Sequence, residues 1–282
     1  MLVAVDKSEA RRLAFQTDKS DGPFLCPTCK KEVILKKGKI KEHHFAHKPP
    51  VTCQYGKGET ELHYKAKREI YQALVEHSNC SKCEIERPLK DVRPDISLYI
   101  KNTPVAIEIQ NSKIPIEEIV RRTISYTNKG IYIVWIIPDK EPDYSFDDDE
   151  KMITRIKEWH KFLQAMFFGR LYYWTHDGCY VTPMRLETYS QITKSGNWVE
   201  DYEDSIGEDL SGTDWYSENY DYADYGGDIK FYKSTKEIIK NPRGRLSLVD
   251  DFRPAVKEKK FETKNWTIPA CRIWMDNLRK WW

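Results

Sequence analysis

Seven consecutive residues restrict the fold more than any others. Ile131-Tyr132-Ile133-Val134-Trp135-Ile136-Ile137 is almost wholly apolar, the pattern of a central β-strand covered on both faces. Such a strand needs layers of structure around it, and the preceding chain supplies them. Residues 58–78 carry Leu62, Ala66, Ile70, Ala73 and Leu74 on one helical stripe. Three strand-like runs follow, Cys83–Leu89, Ile96–Ile100 and Val105–Ile109, the last two joined by the polar loop Lys101-Asn102-Thr103-Pro104. A helix is expected over Ile116–Thr127, ended by Asn128-Lys129-Gly130. Helix, strand, hairpin, helix and buried strand, in that order, define an α/β class.

Beyond the apolar strand, Asp139–Glu150 reads as a Pro- and Asp-rich linker, Lys151–Phe168 as a helix, and Arg170–Val181 as a hairpin closed at Asp177-Gly178. Residues 1–57 alternate short apolar pairs with Lys and Gly, as expected of a few short strands around a Cys/His cluster. We therefore expect three regions: a small module over 1–57, an α/β domain over 58–185, and a C-terminal region over 186–282. There is no internal repeat.

The formal net charge is +2, so only its distribution is informative. From Cys26 to Lys57 there are eight Lys against Glu32 and Glu42; between Lys194 and Lys230 there are eleven acids and no Lys or Arg; from Lys240 onward eleven Lys or Arg face five acids. Basic ends around an acidic middle suit contact with nucleic acid at the basic parts, although charge runs also serve simply as solvated faces. The acidic, Tyr-rich residues 195–229 have no apolar period and read as a surface excursion or partly disordered segment. No apolar run reaches the ~18 residues of a membrane span, and the first seven residues are too soon interrupted by charge for a signal peptide. The expected compartment is the reducing cytoplasm, where the seven Cys serve as metal ligands or buried thiols rather than disulfides.

Two acids stand out. Asp95, in Arg93-Pro94-Asp95, opens one strand of the hairpin; Glu108 and Gln110 lie two apart on the next strand and so share a face. Glu108 sits between Ile107 and Ile109, and a carboxylate in such a strand needs compensation. A divalent ion between Asp95 and Glu108 would supply it, and hard oxygen ligands suit Mg²⁺ or Mn²⁺. On the first helix, Glu59, His63 and Lys67 are spaced i, i+4, i+8 on one face, a stripe that a solvent-facing salt-bridge row would also produce. Glu86 is a further polar residue beside apolar neighbours. Near the N-terminus, Cys26-Pro27-Thr28-Cys29 has zinc-site spacing, followed by His44, His47 and Cys53: five possible ligands for four positions of a structural Zn²⁺. His43 reads as a solvated neighbour, and the Cys80/Cys83 pair as structural or incidental.

Taken together, the order of these pieces resembles the PD-(D/E)xK nuclease core and, more closely, the CoiA-like competence protein family over roughly residues 20–185. The pieces are Cys26-Pro27-Thr28-Cys29, His44-Phe45-Ala46-His47, Glu59 to His63 leading to Lys67, Arg93-Pro94-Asp95, Glu108-Ile109-Gln110, Arg122 to Tyr126, and Gly169 to Trp174. The resemblance implies a restriction-endonuclease-like α/β core with a small N-terminal β zinc module and a C-terminal extension. It implies a metal-dependent nuclease acting on DNA in uptake or recombination, with Asp95, Glu108, Gln110, Glu59, His63 and Lys67 as site residues. Through it, Glu59 becomes a third metal-site carboxylate. The family signature places Lys where this chain has Gln110, a substitution that some members of the wider superfamily share; Lys67 or Lys113 would then supply the cation. Two other functions fit the residues: a non-catalytic DNA-binding accessory of recombination that keeps the fold, and a protein-interaction adaptor using the acidic middle and the Trp-rich tail. For Trp266, Trp274, Trp281 and Trp282, core packing and base stacking are both open.

Overall fold

The computed structural model describes residues 1–56, 58–138, 145–146, 152–154, 157–175, 177–195, 230–240, 244–263 and 265–277. The acidic stretch 196–229, Trp281 and Trp282 lie outside them.

The N-terminal module is a five-stranded antiparallel sheet of β1 (Val3–Val5), β2 (Arg11–Leu13), β3 (Phe24–Leu25), β4 (Glu32–Lys36) and β5 (His44–His47), in the order β2-β1-β3-β4-β5. Its strands alternate: in β4, Val33 and Leu35 point inward while Glu32, Ile34 and Lys36 face solvent. The buried set of Met1, Val3, Phe24, Val33, Leu35 and Phe45 is small, and Tyr64 and Ile85 of the following domain complete it. The module therefore shares its core with its neighbour.

Next come α1 (Glu61–Glu76), β6 (Cys80–Ile85), β7 (Ile96–Ile100), β8 (Thr103–Ile109), α2 (Ile116–Asn128) and β9 (Tyr132–Pro138). Then follow β10 (Ser145–Phe146), β11 (Met152–Thr154), α3 (Glu158–Met166), β12 (Leu171–Trp174), β13 (Tyr180–Ser195) and β14 (Lys230–Lys240). The chain finishes with β15 (Leu246–Ser247), β16 (Phe252–Lys257), β17 (Phe261–Glu262), β18 (Thr267–Ile268) and β19 (Cys271–Asp276). The main sheet has the order β10-β11-β14-β13-β12-β9-β8-β7-β6, with β19 beside β9, β16 beside β19 and β15 beside β13. The fold is mixed α/β. The apolar run becomes β9, central and buried along Ile133–Pro138, with parallel neighbours β8 and β12. Parallel pairing requires crossovers, which α2 and α3 provide.

Thr60 caps α1 by accepting from the His63 amide at 3.2 Å, and Leu62, Ala66, Ile70 and Leu74 form its buried stripe as expected. Glu59 lies before the cap, not on the helical face that the i, i+4, i+8 spacing assigned to it. The loop expected over Lys101–Pro104 is a two-residue turn, because Lys101 (φ 46°) and Asn102 (φ 66°) both adopt the left-handed region of a tight hairpin turn, and Pro104 joins β8. The helix expected over 151–168 is confined to α3, with Met152–Thr154 in a strand. The strand expected at Cys83–Leu89 is β6, shifted toward Cys80.

The C-terminal residues pack into the main domain. β13 runs unbroken across position 185, and Ile273 of β19 pairs with Ile133 at the centre of the sheet. Trp274 is buried, donating its indole N–H to the Leu248 carbonyl at 2.9 Å, and Trp266 packs against the same core.

Candidate active site and metal centre

β6, β7 and β8 and the start of α1 enclose an open cavity of about 240 Å³, lined by Glu59, His63, Lys67, Asp95, Glu108 and Gln110, with Tyr55, Glu86, Arg93 and Arg122 around them. The six residues expected at the nuclease site therefore line one cavity. Asp95 stands immediately before β7, Glu108 near the end of β8, and Gln110 immediately after it.

At the back of the cavity lies Lys67, fully buried. Its Nζ is 2.5 Å from Glu59 Oε1, 2.8 Å from Glu86 Oε1 and 2.8 Å from Asp95 Oδ1. Burial alone would strip its proton, but Asp95, Glu59 and Glu86 outweigh burial and hold the ammonium well above its ordinary pKa. In return, Asp95 stays ionised despite burial, held well below the carboxylate range by His63 and Lys67. Asp95 also accepts from the Ile109 amide at 2.8 Å, which locks β7's approach to the end of β8. Glu86 accepts from the Leu2 amide at 3.1 Å and from the Tyr55 hydroxyl, joining the module to the cavity.

Glu108 sits apart from that cluster. Its carboxylate accepts from Tyr126 Oη at 2.6 Å and from Arg122 Nη1 at 3.0 Å. Burial pushes its pKa up to about 7, Arg122 pulling the other way. Tyr126 and Arg122 come four residues apart on α2, whose inner face delivers them together. Gln110 donates to the carbonyl and hydroxyl oxygens of Ser112 at 2.8 and 3.2 Å. Of the two lysines named as replacement cations, Lys67 is consumed by three carboxylates, and Lys113 is exposed and outside the cavity wall.

One ligand atom each from Glu59, His63 and Asp95 lies within 4.8 Å of the other two. Octahedral ligands about 2.1 Å from a small divalent ion stand about 3 to 4 Å apart, so the spacing is suitable. Glu59 Oε2 and His63 Nε2 are buried and make no aligned hydrogen bond, although the Met1 ammonium is 2.8 Å from the first and Asp95 Oδ1 3.0 Å from the second. Such atoms fit an ion. Glu108, assigned to the ion from sequence, has both oxygens engaged by Tyr126 and Arg122 instead.

The second centre is in the module. Cys26, Cys29, His47 and Cys53 bring their ligand atoms within 4.8 Å of one another; Cys26 Sγ is 4.0 Å from Cys53 Sγ, and Cys29 Sγ is 3.3 Å from His47 Nε2. A tetrahedral Zn²⁺ with bonds of about 2.3 Å separates sulfurs by about 3.8 Å, so this Cys3His set can bind zinc. Burial pushes the Cys26 thiol up to about 11, a cost that a bound cation offsets. Among the five possible ligands, His44 is the one left out: its Nδ1 is 2.8 Å from the Glu42 carbonyl and its ring stacks on Tyr64.

Sequence reasoning left Arg93, Arg122 and Tyr126 without roles and left Glu86 open. The i, i+4, i+8 series Glu118, Arg122, Tyr126 was visible; that it faces Glu108 depends on how α2 crosses β8.

An α/β sheet with a central parallel strand, an acidic cavity at its hairpin and a Cys/His module docked alongside defines a nuclease-like protein with a small zinc-type module. Residues 59–194 match the family model described as competence protein CoiA, nuclease-like domain, and residues 6–56 match its N-terminal domain. The chain belongs to the CoiA-like competence protein family. Competence protein CoiA of Bacillus subtilis (strain 168) is 31% identical over 115 residues, which are 40% of this chain and 31% of the relative. No solved structure matches. Among the described residues, no helix is long and apolar enough to cross a membrane.

Proposed function

We propose that the protein is a metal-dependent nuclease acting on DNA during uptake or recombination. The observation that carries this reading is the convergence of Glu59, His63 and Asp95 within 4.8 Å, in a cavity whose wall also presents Glu108 and Gln110. Asp95 and Glu59 would hold a Mg²⁺ or Mn²⁺ ion with His63 beside them, and Glu108 becomes available when its bond to Arg122 yields. Such an ion, when bound, polarises the scissile phosphate and lowers the pKa of a bound water. Lys67 keeps the carboxylates ionised and in register. Gln110 orients water or a phosphate oxygen by hydrogen bonding and supplies no charge. The exposed Lys30, Lys31, Lys36, Lys37, Lys39 and Lys41 of the module offer further phosphate contacts.

A second reading has its own support. Lys67 already balances part of the acidic cluster with no ion, as a DNA-binding accessory of recombination would require. One assay separates the two. The full chain is incubated with single- and double-stranded DNA in Mg²⁺ or Mn²⁺, beside Asp95→Ala. Ion-dependent cleavage lost in the variant supports the nuclease; equal cleavage by both proteins places the activity in another site or a contaminant, and absence of cleavage with retained binding favours the accessory.

A further inference from the structure

The geometry points to Arg93 as the cation that grips the DNA phosphate in this cavity, aimed by the zinc module through Thr28 and Tyr55. This rests on the reading above only in taking the phosphodiester to be DNA's.

Among the described residues, three cations line the cavity: Lys67, Arg93 and Arg122. Two are committed. Lys67 is enclosed by Glu59, Glu86 and Asp95, and Arg122 lies 3.0 Å from Glu108 and 2.7 Å from Glu118. Arg93 makes no ion pair with a carboxylate among the described residues. Its Nε is buried with no hydrogen-bond partner. Its Nη2 donates to Thr28 Oγ1 at 3.0 Å, and its guanidinium carbon lies 4.1 Å over the Tyr55 ring. A guanidinium stacked on one face and tethered at one corner keeps most of its donor fork for a planar or tetrahedral oxyanion. The position is right for the chemistry, because Arg93 is two residues from Asp95 across Pro94 and both line the cavity.

Both partners that hold Arg93 belong to the module and border its Cys3His set. Thr28 lies between Cys26 and Cys29, and Tyr55 lies two residues after Cys53. A metal joining those cysteines would join the tether to the stacking ring. Tyr55 is fixed at its other end, its hydroxyl donating to Glu86, which in turn binds Lys67. One chain of contacts thus runs from the zinc knuckle to the carboxylate cluster, with Arg93 as the charge it presents. This gives the cavity the cation that Gln110 does not provide.

The test is binding of a short labelled DNA, single strand and duplex, to the full-length protein without added Mg²⁺ or Mn²⁺, over a range of salt. Arg93→Gln is expected to lower affinity about tenfold and to reduce the slope of log affinity against log salt by about one, with zinc content unchanged. Arg93→Lys keeps the charge without the fork, so it should keep the slope and lose part of the affinity. Thr28→Val, which removes the tether and no charge, should produce a smaller loss with zinc still bound. Wild-type affinity and slope in Arg93→Gln overturn the assignment; should that variant not fold, wild-type affinity in Arg93→Lys does so. If the wild type fails to cut DNA while Arg93→Gln still weakens binding, the nuclease reading falls and the arginine assignment stands. If the wild type cuts and Arg93→Gln binds unimpaired, the reverse holds.

Discussion

Lys67 is the residue on which the cavity depends. Its ammonium has three carboxylate neighbours and no exposure, so its replacement by Met would leave Glu86 and Asp95 without the ammonium they share with Glu59, which keeps only the Met1 ammonium. Breaking a buried ionic cluster by removing one partner costs about 3–5 kcal/mol. Lys67→Met is therefore expected to lower stability by about that amount in urea titration; a midpoint matching wild type would show that the cluster relaxes at no cost. In the module, ligand identity is equally a matter of single residues. The protein is expected to carry about one Zn²⁺ per chain, the capacity of a single tetrahedral site. Elemental analysis of Cys53→Ser should find the metal lost and of His44→Ala retained, because His44 turns to Glu42 and Tyr64. Zinc loss in the second variant and retention in the first would reverse the assignment.

Individual elements carry charge as well as shape. α3 buries Trp159, His160, Phe162, Leu163 and Met166 against the sheet. Burial, helped by Lys157, holds the His160 imidazole down at about 3. The unfolded chain takes up that proton near the ordinary value of 6.5, so between the two pKa values the unfolded state binds more protons. The stability this histidine contributes is complete above about pH 6.5 and is lost as pH falls toward 3. His160→Gln should flatten the decline of stability between roughly pH 6.5 and 5, where the slope from one such group is up to about 1.4 kcal/mol per pH unit. Unfolding curves over that range that are parallel for the variant and wild type would contradict it. The β7–β8 turn works by backbone conformation instead: with Lys101 and Asn102 both left-handed, the strands meet in the register that sets Ile96 opposite Ile107, and Asp95 and Glu108 at the cavity.

At the scale of the molecule, the C-terminal residues are part of the core. Leu248, Val249, Phe252, Ile268, Ile273 and Trp274 are buried, and Asp276 lies 2.6 Å from the Tyr172 hydroxyl and 3.0 Å from Arg170 Nε. Each large apolar side chain exposed costs about 1.5–3 kcal/mol, and six together are comparable with the 5–15 kcal/mol that typically holds a domain folded. A chain ending at residue 245 is thus expected to lose cooperative unfolding and near-UV circular dichroism. A sharp urea transition in that truncation would show that residues 246–276 are an appendage. The module is bound in the same way, since Tyr64 and Ile85 fill its core and Glu86 reaches back to Leu2.

The periodic features were legible because they are local. The apolar run of β9, the stripe of α1 and the apolar runs of β7 and β8 follow from burial on one or both faces of a short segment. The spacing of Cys26 and Cys29 was legible because it is that of a zinc-ligand pair. The family resemblance gathered Asp95, Glu108, Gln110, Glu59, His63 and Lys67 into one set, and one cavity contains them. Only the tertiary structure decided what each of them touches. Lys67 is not an available cation, because Glu86 and Asp95 come to it from other segments. Glu108 meets Arg122 and Tyr126, because α2 crosses the end of β8. His44 yields to Cys53, because β5 turns its ring away, and the tail enters the sheet through the pairing of Ile273 with Ile133. Sequence spacing determines which residues share a face; the partner of a buried charge is chosen by segments distant in the chain, since only close approach out of water makes the interaction strong enough to matter.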